Sequence, residues 1–288
     1  MRYYFRENAR RYEIMTRMGL EDWARQLYGG IDFHDFSSRG FLEMALPKLR
    51  FETPDPEALE LGTGVGPVAL YLAERGYKVT GYELIPEAIR KAREIAAMRG
   101  LAIAYEVVDV TAIPRNGRQF DLILDSYCIN HIVFAGERRS VFESVKAMLK
   151  PKGYYLVSSS VYESGRHSPE RRVVDRSTGQ TYDTYDGDCL YDPSTDYYYE
   201  PLEKAPSELE QAVPCSDTLV INGKTYIPKR CYRDGKRLAA EVESYGFECV
   251  LQHGEYGENS IYVHRGSGMA PGFDPAGSRP VDAPHETC

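Results

Sequence analysis

The sequence predicts an α/β protein built on a largely parallel sheet, and three observations carry that prediction. Residues 57 to 160 alternate short apolar strands with helices over short connections, the pattern of a parallel sheet covered on both faces. The run Ala58-Leu59-Glu60-Leu61-Gly62-Thr63-Gly64-Val65-Gly66 carries the first strand into a glycine loop. Pro67 follows it, at a first helical position where a missing N–H is no loss. After residue 160 the alternation gives way to a tyrosine-rich stretch and then returns, which marks an insertion into the sheet region.

The first 56 residues read as helical. Glu13 to Met18, then Trp23, Leu27 and Tyr28, place apolar residues at helical spacing. Gly29-Gly30 ends that helix. Phe33 to Phe36 form a loop, and Ser37 or Ser38 caps a further helix carrying Phe41, Leu42, Met44 and Leu46. Arg2, Arg6, Arg10, Arg11 and Arg17 make this end basic. A solvated helix face is the plain reading, and a nucleic-acid patch is the alternative.

Pro54 and Pro56 then break the chain before the first strand, Ala58 to Leu61. A helix from Pro67 to Arg75 is stopped by Gly76. The second strand is Tyr77 to Glu83. The second core helix is Pro86 to Met98, with proline in its first turn and Gly100 after its end. Ala102 to Val108 form the third strand and Phe120 to Asp125 the fourth. A helix from Glu137 to Leu149 leads through Pro151 and Gly153 to the fifth strand, Tyr154 to Ser159.

Residues 161 to 230 show no helical period. They interleave Tyr182, Tyr185, Tyr191 and Tyr197 to Tyr199 with Asp183, Asp186, Asp188, Asp192, Asp196, Glu200 and Glu203. Short β pieces are expected, with a hairpin turn at Asn222-Gly223, and the stretch reads as a lid without a large core of its own. Tyrosine faces beside carboxylates hold an ammonium, each cation–π contact contributing roughly 0.5–2 kcal/mol. The alternative is that the tyrosines pack the lid and the acids are solvated. Residues 231 to 265 complete the core with a helix, Gly235 to Ser244, and two strands, Cys249 to Gln252 and Ser260 to His264. The tail, 266 to 288, is Gly-, Pro- and Ala-rich and reads as disordered. No internal repeat is apparent.

A length of 288 residues, 42% of them hydrophobic, is enough for one elaborated domain with a sizeable core. The formal charge of -8 argues against a general nucleic-acid binder. None of the six cysteines forms a C-x-x-C pair, so neither a zinc site nor a disulfide framework is signalled. With no signal-peptide apolar region after Met1 and no membrane-length apolar run, the expectation is a soluble cytoplasmic protein without a membrane partner.

The loop chemistry narrows the ligand. A dinucleotide fingerprint would put its third glycine at position 67, which is Pro67, and a P-loop would need a lysine that the loop lacks. Glu60, two residues before Gly62, suits a ligand carrying an amine better than a pyrophosphate. Glu83, at the end of the second strand, is placed to accept two ribose hydroxyls; its alternative is a surface glutamate at a strand end. Asp109 ends the third strand, where it accepts an exocyclic amine or caps the next turn. Asp125 ends the fourth strand, is counted with the cofactor-binding residues, and begins the segment Asp125-Ser126-Tyr127-Cys128-Ile129-Asn130-His131. Strand ends near the switch point face the ligand crevice. Tyr127 and His131 are therefore the candidate catalytic residues, and His131 is able to take a proton at neutral pH. The plain reading of His131 is that it fixes the loop or caps the next helix.

The stretch from Glu60 to Gly66 resembles motif I of the class I methyltransferases that use S-adenosyl-L-methionine. The resemblance covers residues 57–160 and, more loosely, 235–264. It implies a Rossmann-like doubly wound sheet of seven strands, the last antiparallel, with N-terminal helices and a β-rich insertion after strand five. It further implies that Gly62, Thr63, Gly64 and Gly66 wrap the methionine end of the cofactor while Glu60 helps hold its amino group. By the same resemblance Glu83 binds both ribose hydroxyls, Leu84 packs on the adenine, and Asp109 with Val110 beside it binds the adenine edge. Many small-molecule methyltransferases carry a histidine a few residues past the fourth strand, and His131 matches it. Lys150-Pro151-Lys152-Gly153 is similar to the family's Lys-Pro-Gly-Gly turn, with Lys152 in place of a glycine. The Asn/Asp-Pro-Pro-Tyr/Phe signature of enzymes acting on nucleobase or glutamine amides is absent.

The activity this implies is in-line methyl transfer to a nitrogen, oxygen or sulfur nucleophile of a small molecule. A sulfonium methyl is already activated, so the protein's work is mainly placement and exclusion of water, and orientation alone contributes on the order of 7–11 kcal/mol. Cys128 is not needed as a nucleophile. An RNA or protein methyltransferase, a non-catalytic cofactor-binding protein and, by fold, a dehydrogenase remain as alternatives.

Overall fold

Apolar residues alternate along most of the central strands, and each alternate set meets a different helical layer. The computed structural model describes residues 8–10, 12–14, 36–161, 172–185, 187–204 and 218–266. Its first elements are α1 (Arg39–Ala45), β1 (Glu57–Leu61), α2 (Pro67–Ala73), β2 (Lys78–Glu83), α3 (Pro86–Met98), β3 (Ala104–Val107), β4 (Phe120–Ser126), α4 (Ala135–Met148) and β5 (Leu149–Ser158). An insertion follows with β6 (Arg172–Val174), β7 (Thr181–Tyr185), β8 (Cys189–Asp192), β9 (Tyr197–Pro201), β10 (Leu219–Ile221) and β11 (Lys224–Cys231). The chain returns to the core through α5 (Gly235–Ser244), β12 (Phe247–His253) and β13 (Asn259–His264).

The core strands form the expected seven-stranded Rossmann-like sheet, in the order β12-β13-β5-β4-β1-β2-β3. β1 to β5 are parallel, and β13 alone runs antiparallel to its neighbours β5 and β12. Strand order reverses between β1 and β4, so the ligand crevice of an open α/β sheet lies at their carboxyl ends.

Ala58, Val79, Leu122, Leu124, Tyr154 and Leu156 pack in one cluster with Leu42 of α1, Val68 and Leu72 of α2 and Ile89 of α3. Leu59, Leu61, Ile123, Tyr155 and Val157 pack on the other face with Val141, Phe142 and Val145 of α4 and Leu238 and Val242 of α5. This period of two decides where the strand-end acids point. Glu60 and Glu83 share the face of α2, whereas Asp125 shares the face of α4.

Three details differ from expectation. Ser38 is the N-cap of α1 but makes no side-chain cap; its hydroxyl instead lies 2.8 Å from that of Ser126 at the end of β4. The short β pieces of the insertion form as expected, but they join into one continuous antiparallel sheet, ordered β10-β11-β9-β8-β7-β6. It also contains a small repeat. Asp175 accepts hydrogen bonds from the backbone and hydroxyl of Ser177 and from Thr178, and Asp192 does the same with Ser194 and Thr195. Two hairpins thus turn on the same Asp-x-Ser-Thr chemistry.

The Asn222-Gly223 turn forms as expected, with φ of 50° and 83°, the double positive φ of a type I′ hairpin. The Asn222 side chain donates to the Val174 carbonyl at 2.9 Å and accepts from the Arg176 amide at 3.3 Å. It thereby ties β10 to β6, the two outer strands, and curls the sheet into a half-barrel. Tyr182, Leu190, Tyr199, Ile221 and Tyr226 form its small core. Residues 8–10 and 12–14 are helical. Trp23, Leu27, Tyr28, the loop up to Asp35 and the tail after 266 lie outside the described residues. No helix among the described residues is long and apolar enough to cross a membrane.

Candidate active site

The glycine loop is shaped from below. Gly62, Gly64 and Gly66 all take positive φ, at 64°, 57° and 87°. A Cβ on Gly66 would stand 2.2 Å from the Tyr105 hydroxyl, and one on Gly62 would stand 2.7 Å from Cys128 Sγ. These two positions exclude any other residue on both conformation and space. Gly64 faces outward, and among the described residues its Cβ position is met by the Tyr12 hydroxyl at 3.2 Å, so Tyr12 covers the loop there. The Thr63 amide donates to the Tyr82 carbonyl at 2.9 Å, pinning the loop to the end of β2.

Glu83 spans the loop and the next turn. Oε2 accepts from the Gly64 amide at 3.1 Å and Oε1 from the Ile85 amide at 3.0 Å. Burial raises its pKa against those donors. Leu84 beside it is half-buried. Asp109 Oδ1 takes both bonds from Thr111, at 2.8 Å from the amide and 2.7 Å from the hydroxyl, which leaves Oδ2 for an exocyclic amine. Val110 is buried against the α4 layer. The capping and binding readings of Asp109 are therefore compatible.

Two acids sit deeper than the sequence suggests. Glu60 is 2% exposed and turns beneath α2, where Thr63 Oγ1 donates to Oε2 at 2.5 Å and the Ala69 amide also donates. Burial, reinforced by Glu83 and Asp125, pushes Glu60 up to about 8. Asp125 faces the α4 layer. Its Oδ1 accepts from the Cys128 amide at 2.9 Å and the Ile129 amide at 3.0 Å. Burial pushes it up to about 7, against those two donors and Arg138. In this arrangement Asp125 shapes the loop after β4.

That loop carries the candidate catalytic residues. Tyr127 holds φ 62°, a conformation that costs a non-glycine residue on the order of 1–3 kcal/mol and is concentrated at functional sites. Its amide donates to the Ser158 carbonyl at 2.8 Å, joining the ends of β4 and β5. His131 closes a single 3-10 turn, Ile129–His131, and is half-buried. Burial and the surrounding carboxylates hold the Cys128 thiol well above its ordinary pKa, so it is protonated and a poor nucleophile.

Glu83, Leu84, Asp109 and Val110 stand at the carboxyl ends of β2 and β3 beside the 62–66 loop, Tyr127 and His131 follow β4, and Glu60 is turned away beneath α2. A nucleoside carrying an amino acid fits this donor set. Glu83 and Asp109 carry acceptors suited to hydroxyls and an amine, and the Gly64 backbone beside Tyr12 already donates to Glu83. Sequence reasoning missed Tyr105, which props Gly66, and Arg138, which grips the loop holding His131. Arg138 left a readable signal, because it falls on the stripe of Val141, Phe142 and Val145, where an unpaired charge is not tolerated.

The fold defines a doubly wound, Rossmann-like α/β protein. Comparison with known proteins gives the family. Residues 58–153 match the family model described as a methyltransferase domain. The chain is 32% identical over 102 residues to a 2-heptyl-1-hydroxyquinolin-4(1H)-one methyltransferase of Mycobacteroides abscessus, covering 35% of this chain and 44% of that one. It is 27% identical over 170 residues to a phosphoethanolamine N-methyltransferase of Triticum aestivum, covering 55% and 33%. The chain spans less than two thirds of the length of these curated relatives. A crystal structure of an S-adenosylmethionine-dependent methyltransferase from Clostridium acetobutylicum shares the fold, with TM-score 0.55 and 15% identity over 88% of this chain and 99% of that one. Residues 58–153 thus carry a methyltransferase domain, and the family match, the relatives and the shared fold together support a class I methyltransferase with S-adenosyl-L-methionine as the cofactor.

Proposed function

We propose that the protein transfers the cofactor's methyl group to a nitrogen, oxygen or sulfur atom of a small molecule held between the glycine-loop crevice and the Tyr127–His131 loop. One observation carries the reading: Glu83 and Asp109 offer acceptors beside the outward face of Gly64, and Tyr127 and His131 stand at the end of the neighbouring strand. The bound cofactor supplies an activated methyl. The chain's own residues orient it through Glu83, Asp109 and the loop, and present the acceptor. His131 accepts the acceptor's proton where the nucleophile carries one. Residues 1–56 act as a cap, 57–160 and 231–265 as the cofactor core and 161–230 as a lid. The names of the two curated relatives, both small-molecule methyltransferases, support a small acceptor over a macromolecule.

The lid's acids speak against an ammonium cage in the lid. Lys224 pairs with Asp188 and Glu203, Lys229 with Glu200, Arg172 with Asp183 and Arg237 with Asp196. Tyr182, Tyr199 and Tyr226 are spent on the half-barrel core. The test is incubation with methyl-labelled cofactor and fractionated metabolite, RNA and protein pools. Label in a small molecule, lost by about 10²–10⁴ in rate with His131→Ala while cofactor affinity holds, is expected. Label confined to RNA or protein would refute the small-acceptor reading.

A further inference from the structure

Arg138 lies on the apolar stripe of α4 with Val141, Phe142, Val145 and Met148, and its side chain is 1% exposed. A guanidinium at that depth must be both paired and hydrogen-bonded. Nη1 donates to the carbonyls of Ile129 at 2.7 Å and Ile132 at 2.9 Å, the residues that bracket Asn130 and His131. Nε and Nη2 form a fork on Glu241 of α5, at 2.8 and 2.6 Å. Such a bidentate pair fixes direction as well as distance.

The contacts continue into the six-stranded sheet. Glu241 Oε2 also meets Arg233 Nη1 at 3.2 Å. Arg233 Nε lies 3.6 Å from Asp196 Oδ2. Asp196 belongs to the β8–β9 turn and takes φ 67°. Its Oδ1 accepts from the Tyr191 hydroxyl at 2.9 Å and from Arg237, and its carbonyl accepts from the Tyr232 amide at 2.9 Å. Asp196 and Arg138 at the two ends are each 1% exposed and Glu241 9%, while Arg233 between them reaches solvent in part, at 23%.

We propose that Arg138 is a positioning residue that holds the Ile129–Ile132 turn, and His131 with it, and that the Glu241–Arg233–Asp196 relay makes this hold depend on how the half-barrel is seated. Movement of the half-barrel then reaches His131 through Arg138 as well as through β11, which packs directly on the Ile129–His131 turn. That the turn serves methyl transfer rests on the function proposed above; the coupling itself does not.

The experiment compares the full-length wild type with Asp196→Asn, Arg233→Lys and Arg138→Lys. It reads amide hydrogen exchange across 128–133, the His131 imidazole titration by NMR, and affinity for S-adenosylhomocysteine. Asp196→Asn makes no contact with the turn, yet it is expected to speed exchange there by about tenfold. It should also shift the His131 titration, leaving exchange in β1 and α2 unchanged. Arg138→Lys keeps the charge and loses the fork, so it should do more. Combining it with Asp196→Asn should add little, the signature of residues acting in one chain. Faster exchange confined to the half-barrel, with the turn and the His131 titration unmoved in Asp196→Asn, would overturn the proposal. Should Arg138→Lys fail to fold, Asp196→Asn and Arg233→Lys carry the test, since both leave the Arg138–Glu241 pair in place. Failure of the wild type to bind S-adenosylhomocysteine would count against the methyltransferase reading, while the exchange data would still decide the coupling.

Discussion

Replacing Glu60 by Gln should flatten the dependence of stability on pH. In the folded protein burial lifts this carboxyl from 4.5 to about 8, so the folded chain holds its proton where the unfolded chain has lost it. Stability therefore falls as pH rises between those two values. The stabilisation is complete below the unfolded pKa and gone above the folded one. At about 1.4 kcal/mol per pH step the full effect is on the order of 5 kcal/mol, and the part lost between about pH 6 and about pH 8 is ~2 kcal/mol. Gln keeps an oxygen to accept from Thr63 and carries no titrating proton. Asp125, lifted to about 7, adds a slope of the same sign to both proteins, and since it is the weakest of the causes acting on Glu60 most of that slope cancels in the difference. Urea unfolding of wild type and Glu60→Gln at the two pH values measures it. The wild type should lose ~2 kcal/mol more than the variant. Equal losses would refute the burial argument for Glu60.

Other outcomes follow from the same geometry. Glu83→Ala should weaken S-adenosylhomocysteine binding by about 1–3 kcal/mol in calorimetry, by removing the acceptor at the end of β2; unchanged affinity would mean the pocket is elsewhere. Gly66→Ala should cost at least about tenfold in that affinity through its φ of 87° and the Tyr105 contact. Adding Tyr105→Phe should restore part of it, and no restoration would show that conformation alone is responsible. Phe142→Ala, at a fully buried position under α4, should lower unfolding free energy by about 3–5 kcal/mol in denaturant titration.

Much of the core was legible because its signals are local. Pro67 and Pro86 each open a helix at the first position, and the α3 and α5 ranges match the sequence reading. The strand ends placed Glu83 and Asp109 at the carboxyl edge of the sheet. What the sequence hid depends on which way a side chain faces. Glu60 and Asp125 both stand at strand ends, yet the two-residue period turns one under α2 and the other toward α4. The half-barrel was illegible for another reason. Its hairpins turn on local Asp-x-Ser-Thr motifs, but its closure rests on the Asn222 tie to Val174, a long-range pairing that no helical or strand period announces.

The central claim is a pocket for S-adenosyl-L-methionine at the carboxyl ends of β1, β2 and β4. Calorimetric titration of the purified protein with S-adenosylhomocysteine, with NADH as the control, tests it most directly. Binding of S-adenosylhomocysteine with a Kd on the order of micromolar and no heat from NADH is the predicted result. Binding of NADH alone, or of neither, would contradict it.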